Sequence, residues 1–169
     1  MKKKILAITP AACFLVGFLI CVLAAPMIAG ANDGDSYFDA IGHVSFWEIF
    51  LNNAMMCGLF ILGCGVLSSV LLLVQGFTFG GTYILWTMMG NTAGDFFVLF
   101  LPHVVFEFIA MALAGYLGFR LLDLVMHKNG QTLKGLLREH RWTLTATFAA
   151  VLVGALVECY LTPWLYTIC

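Results

Sequence analysis

The chain has 169 residues, of which 62% are hydrophobic and 10% are charged, and its mean hydropathy is +1.00. Soluble domains carry about 25% charged residues, so this composition excludes one and predicts a single membrane-embedded domain over residues 1–169. The basic residues are too few to suggest nucleic acid as a partner, and the lipid bilayer is the expected environment. The six cysteines include no Cys-x-x-Cys motif, which favours packing residues over a metal site.

Four apolar runs are long enough to cross a bilayer as helices, which takes about 20 residues each. They cover residues 5–28, 49–74, 96–122 and 143–164. The first run is longer than the core of a signal peptide, so we expect it to remain as the first transmembrane helix. A Gly-rich segment at 77–94 lies between the second and third runs, and hydropathy alone does not decide whether it crosses.

The positions of the basic residues decide whether this segment crosses. Lys2, Lys3 and Lys4 place the N-terminus in the cytoplasm, because cytoplasmic loops are enriched in Lys and Arg. The other five basic residues flank the connection between the last two runs: Arg120, Lys128, Lys134, Arg138 and Arg141. All eight lie inside only if 77–94 also crosses. We therefore predict an all-α bundle of five transmembrane helices in a bacterial inner membrane, the third short and Gly-rich, with the N-terminus inside and the C-terminus outside.

Two connections carry recognisable signals. The predicted outer loop at 30–48 is acidic and rich in aromatic residues, which suits the level of the lipid headgroups. On the cytoplasmic side, Asn129-Gly130 predicts a turn. Thr132 is then expected to cap a short interfacial helix.

Two carboxylates lie within the predicted helices, Glu107 in the fourth and Glu158 in the fifth. An ionisable residue inside a membrane is costly and therefore indicates a functional or organising site. At about 100° per residue, Glu107 shares a helix face with His103, Ala114 and Gly118. The predicted polar site, expected in the outer half of the bundle, comprises Asn53, His103, Glu107 and Glu158. The predicted helix-packing positions are Ala114, Gly115, Gly118 and Gly154.

Three interpretations of this polar site remain open. The carboxylates either fix the helix register by hydrogen bonding to groups such as His103 and Asn53, or they line a pocket that accepts a small cation or a basic peptide. In the third interpretation, His103, Glu107 and Glu158 bind a metal in an intramembrane hydrolase. The chain lacks the His-Glu-x-x-His motif of zinc proteases and every other catalytic motif sought, so neither a cofactor nor enzymatic activity is expected.

Several motifs resemble those of the SpoIIM family of integral membrane proteins, over residues of about 46–163. They are Phe50-Leu51-Asn52-Asn53, Pro102-His103-x-x-x-Glu107, Ala114-Gly115-x-x-Gly118 and the segment from Ala155 to Pro163. The chain departs from the family's usual pattern at Val104, where a glycine commonly follows Pro-His. Glu107 thus lies inside a recognisable family motif.

The resemblance implies five helices and a non-enzymatic scaffold or accessory role, with protein partners or self-association. The sporulation protein of this family scaffolds a septal peptidoglycan-degrading complex. Other members resemble accessory or immunity proteins of bacteriocin or peptide export. A transporter or channel-like component that binds a cation or a peptide is the alternative.

Overall fold

A computed structural model describes residues 3–28, 45–127 and 132–166, and within these ranges the chain consists of helices joined by short turns, without strands. The all-α prediction is therefore confirmed for this part of the chain. The elements are α1 (Lys3–Ile28), α2 (Phe46–Leu62), α3 (Val66–Met88), α4 (Ala93–His127), α5 (Leu133–Glu139), α6 (Arg141–Leu156), a π-helical turn (Val157–Leu161) and α7 (Thr162–Tyr166). The predicted turn at Asn129-Gly130 and most of the predicted outer loop at 30–48 lie outside the described residues.

Three of the described helical stretches are long and apolar enough to cross a membrane: Val66–Met88, Ala93–Met126 and Arg141–Leu165. Two shorter apolar stretches, Ile8–Ala24 and Phe46–Leu62, belong to α1 and α2. Their length and composition fit a protein of the lipid bilayer. Five crossings and the orientation of the termini remain predictions.

The predicted boundary between the second and third crossings is wrong. The apolar run at 49–74 is not one helix, because the chain turns at residues 63–65, where Cys64 and Gly65 have φ angles of 46° and 75°. As a result α3 is a regular helix of 23 residues and not a short segment beginning at Phe77. Hydropathy gives little sign of the turn, because it contains no charged residue, but the two glycines on either side of Cys64 are a turn signal.

Ser68 holds this turn together from the start of α3. Its hydroxyl group donates to the Phe60 carbonyl of α2 and accepts a hydrogen bond from the Gly65 amide at 3.2 Å. The residue is fully buried, so its polar atoms need these partners within the protein. The two helices are therefore joined as a compact hairpin.

Glycines bring α1 and α3 into backbone contact. A Cβ atom at Gly17 would collide with the Leu73 carbonyl, and one at Gly76 would collide with the Phe14 carbonyl. Gly80, one turn after Gly76, lies against Phe18 and Cys21 of α1, which completes a Gly-x-x-x-Gly pattern of close helix packing. Because later residues of α3 meet later residues of α1, the two helices run parallel.

The central helix is α4, which packs against α1, α2, α3 and α6. Its small-residue face behaves as predicted: Ala114 is fully buried, Gly115 lies against Pro10 and Leu72, and a side chain at Gly118 would collide with the Phe60 carbonyl and the Ser68 hydroxyl. The core around this face comprises Cys57, Phe60, Leu72, Ala110, Ala114 and Val151. Later residues of α4 contact later residues of α2, so these two helices run parallel. Later residues of α4 contact earlier residues of α3 and α6, so α4 is antiparallel to both.

Polar contacts tie the end of α4 to the elements that follow it. Arg120 donates from Nε to His140 Nε2 at 3.3 Å and lies 3.5 Å from the Asp123 carboxylate. The predicted cap is confirmed, since the Thr132 hydroxyl accepts a hydrogen bond from the Gly135 amide at the start of α5. These charges lie at the same end of the bundle as the α2–α3 turn.

Candidate functional site

Glu107 of α4 is hydrogen-bonded to α2 inside the bundle. Asn53 donates from Nδ2 to Glu107 Oε1 over 2.6 Å, a bond between residues 54 positions apart in the chain. Hydrogen bonds to a carboxylate are short and stronger than those between neutral groups. This contact fixes the rotation of α4 relative to α2.

Gly154 of α6 lies on the other side of Glu107. A Cβ atom added at Gly154 would lie 3.4 Å from Phe106 Cβ and 3.5 Å from Glu107 Cγ, which is close to ordinary van der Waals contact. A Cβ atom would therefore fit at Gly154, so the packing of α6 beside Glu107 does not depend on the missing side chain. This contact differs from Gly118, where an added Cβ atom would collide with backbone.

A small cavity lies beside Glu107, between α2, α3, α4 and α6. Its volume is about 10 Å³, which is the space needed for one particle of the size of a water molecule. It is lined by Asn53, Met56, Cys57, Gln75, Glu107, Ala110, Met111 and Val151. Oxygen-bearing side chains of three helices thus surround one water-sized space.

Gln75 is a site residue that the sequence analysis missed. It directly follows the apolar run at 49–74 and would lie at the end of a helix with those bounds, whereas α3 carries it near its middle. The signal that would have found it is an amide side chain directly before Gly76, within an apolar stretch and beside the Gly-x-x-x-Gly pattern.

Glu158 lies in the π-helical turn that joins α6 to α7. The Thr162 amide bonds to the Val157 carbonyl, five residues back. Pro163 has no amide hydrogen and its ring would crowd the Cys159 carbonyl in a regular helix, which accounts for the wider turn. The Glu158 side chain is half-buried and lies close enough to Glu107 for the two carboxylates to repel each other. Within the described residues it makes no hydrogen bond or ion pair.

His103 is buried one turn before Glu107 but contacts a different element. Its Nδ1 atom lies 3.3 Å from the Thr162 hydroxyl, and its ring packs against Phe100. It therefore ties α4 to the start of α7.

The predicted polar residues fall into an arrangement that excludes one interpretation. Asn53 and Glu107 are bonded, Glu158 lies near Glu107, and His103 lies against Thr162. Within the described residues no three His, Cys, Asp or Glu side chains converge as a metal site requires. The three-ligand site of His103, Glu107 and Glu158 is thus wrong, because the histidine and the first carboxylate turn to different partners.

The predicted depth of the site is also corrected. Because α2 ends at Leu62, Asn53 lies near the middle of its helix, and Gln75 and Gly154 lie near the middle of theirs. The Asn53–Glu107 pair thus lies at mid-height of the bundle and not in its outer half. At this level the carboxylate lies about equally far from both ends of the bundle.

Comparison with known proteins identifies the family to which the chain belongs. No curated protein and no solved structure matches the chain. The sequence model of one family, described as Stage II sporulation protein M, matches residues 10–163. The match begins earlier than the resemblance in the sequence indicated and includes most of α1. The matched region includes the partly buried Asn53–Glu107 pair and the packing glycines of α1, α3 and α4. The chain belongs to the SpoIIM family.

Proposed function

We propose that the protein is a non-enzymatic scaffold or accessory subunit of a membrane-associated complex. The observation that carries this proposal is Glu158, a half-buried carboxylate that has no hydrogen-bond or ion-pair partner within the described residues. An ionisable side chain inside a membrane helix is costly, so Glu158 is expected to acquire a partner. We assign that partner to another membrane protein.

The surroundings of Glu158 suit contact with another helix. Tyr160, Leu161 and Trp164 of the same segment are exposed on the bundle surface, at 66%, 39% and 57% of their accessible areas. The π-helical turn widens the backbone at this point, and such turns occur frequently at functional sites. A Lys or Arg in a partner's transmembrane helix would neutralise Glu158 while the aromatic side chains pack against its apolar face.

Membership in the SpoIIM family supports a role of this kind. Cell-envelope remodelling, and peptide or bacteriocin export and immunity, are the processes in which such a subunit would serve. A non-enzymatic role agrees with the paired state of Glu107 and His103, each of which is bonded to another helical segment.

A transporter or channel-like component is the second candidate. The cavity beside Glu107 favours it, because a carboxylate and two amide side chains face one small space at mid-height of the bundle. The cavity is too small for a peptide side chain. This candidate is thus limited to protons and small cations.

We also propose five crossings, with the N-terminus in the cytoplasm of a bacterial cell. The parallel arrangement of α1 with α3, and of α2 with α4, is what alternating crossings require. A reporter fused at Asn129 is expected to be cytoplasmic and one at Asn91 to be external. A periplasmic signal at Asn129 would contradict this topology.

The scaffold proposal is tested by site-specific cross-linking in native membranes. A photo-reactive residue at Leu161 is expected to form a discrete adduct with another membrane protein, and Glu158→Gln is expected to abolish that adduct without lowering the amount of the protein. The same probe at Leu23, exposed on α1, serves as a control for random contacts. An adduct that persists in Glu158→Gln would contradict the role of the carboxylate.

A further inference from the structure

The geometry points to a binding site for one small monovalent cation, of the size of Na⁺, in the cavity between Asn53, Gln75 and Glu107. This inference goes beyond the scaffold role and does not depend on it. The site lies inside the bundle, whereas the proposed partner contact is on its surface at Glu158. The two proposals are therefore testable separately.

The charge of Glu107 is the first argument. Asn53 gives the carboxylate one hydrogen bond but no charge. On α4 the nearest permanently cationic side chain is Arg120, about 20 Å further along the helix, and it is engaged by Asp123 and His140. His103, one turn earlier, contacts Thr162, and the Glu158 carboxylate of the π-helical turn adds negative charge near Glu107. A buried carboxylate without a cationic partner is neutralised by a proton or by a bound cation.

The size of the cavity is the second argument. A volume of about 10 Å³ holds one water-sized particle, so it excludes a hydrated ion, a guanidinium group and any peptide. A dehydrated Na⁺ or Li⁺ ion is small enough. Among the lining residues Glu107 is the one acidic group, and the neighbouring Glu158 does not line the cavity, so a single positive charge balances the Glu107 carboxylate.

The chemistry of the lining is the third argument. Carboxylate and amide oxygens are the ligands that hard cations prefer, and Glu107, Asn53 and Gln75 each supply such an atom. These residues belong to α4, α2 and α3, so a bound cation would connect three helices at mid-height. On binding, the cation replaces the carboxyl proton of Glu107, which leaves to solvent, and the net charge of the site is unchanged.

The test measures binding of radioactive ²²Na⁺ to the purified full chain in lipid nanodiscs. We expect saturable binding of about one ion per chain, displaced by unlabelled Na⁺ and Li⁺ but not by choline, and weakening as the pH falls because protons compete. Glu107→Gln is expected to weaken binding roughly a hundredfold, and Gln75→Leu roughly tenfold. Thr78→Val, a substitution of an exposed residue one turn from Gln75, is the matched control and should bind normally.

Each alternative result is decisive. Absence of saturable ²²Na⁺ binding to the unmodified chain overturns the proposal, even if the Glu107 variant fails to assemble. Unchanged binding in a folded Gln75→Leu protein overturns the assigned ligands. Binding of Ag⁺ in place of Na⁺ would assign the site to the sulfur atoms of Met56, Cys57 and Met111, and would likewise reject the oxygen-ligand site.

Discussion

Glu107 and Glu158 are carboxylates close to each other in the bundle, yet their surroundings differ. Glu107 is bonded to Asn53 and enclosed by four helices, with Gly154 and the small cavity on its sides. Glu158 lies in an irregular turn without a described bonding partner. Glu107 thus contributes to the packing between helices, whereas Glu158 lies in an irregular helical segment.

This difference shows that an apolar sequence context alone does not assign a role to an intramembrane carboxylate. Both residues are expected to be costly in a bilayer. The cost of Glu107 is reduced within the chain by an amide donor, and the proposed cation would balance its charge, whereas Glu158 has no bonding partner within the described residues. Substitutions at Asn53, Glu107 and Glu158 are expected to separate the two roles.

The largest expected effect is at Asn53. Asn53→Leu removes the donor and leaves the Glu107 carboxylate without its hydrogen bond, so we expect a loss of about 1–3 kcal/mol in the free energy of unfolding. Asn52→Leu changes the exposed neighbour on α2 and is expected to have an effect within about 0.5 kcal/mol. Reversible unfolding in mixed micelles measures both, and equal effects would show that Asn53 has no special role.

An intermediate effect is expected in double-mutant cycles. The coupling energy between Asn53→Ala and Glu107→Gln should be about 0.6 kcal/mol and at most about 1.7 kcal/mol, the range found for interhelical hydrogen bonds in membranes. The cycle between Asn53→Ala and Glu158→Gln should give a value near zero. A larger coupling to Glu158 would mean that the two carboxylates form one unit.

The smallest expected effect on stability is at Glu158. Glu158→Gln removes a charge that has no bonded partner within the described residues, so the free energy of unfolding should change by less than about 0.5 kcal/mol. Removal of the repulsion from Glu107 acts in the stabilising direction. A loss above 1 kcal/mol, measured in the same micelles, would place Glu158 among the residues that hold the bundle together.

Much of this fold follows from the sequence, but one boundary does not. The lengths of the apolar runs located most of the helices. Helical spacing identified the buried face that carries Ala114 and Gly118. The turn at 63–65 was missed because Gly63, Cys64 and Gly65 interrupt neither the apolar run nor its charge pattern. Its conformation depends on the contacts of Ser68, which no local pattern reveals.

The candidate site was predictable to a similar degree. The unusual positions of Glu107 and Glu158 were evident from their apolar surroundings, and Asn53 was found by its helical level. Gln75 was missed because the missed turn moved it to the wrong end of a helix. The π-helical turn was missed as well, because Pro163 fixes where a regular helix is disturbed but not how the chain accommodates the disturbance.

The parallel contact between α1 and α3 has a consequence for the order of assembly. The α2–α3 hairpin joins neighbours in sequence and is ready to form as soon as both helices have left the ribosome. α1 has its most extensive contact with α3, so it must wait in the lipid until two further helices have been made. Substitution of Gly17 or Gly76 should therefore leave insertion of each helix intact and delay the capture of α1, which makes this first helix the last to reach its final place.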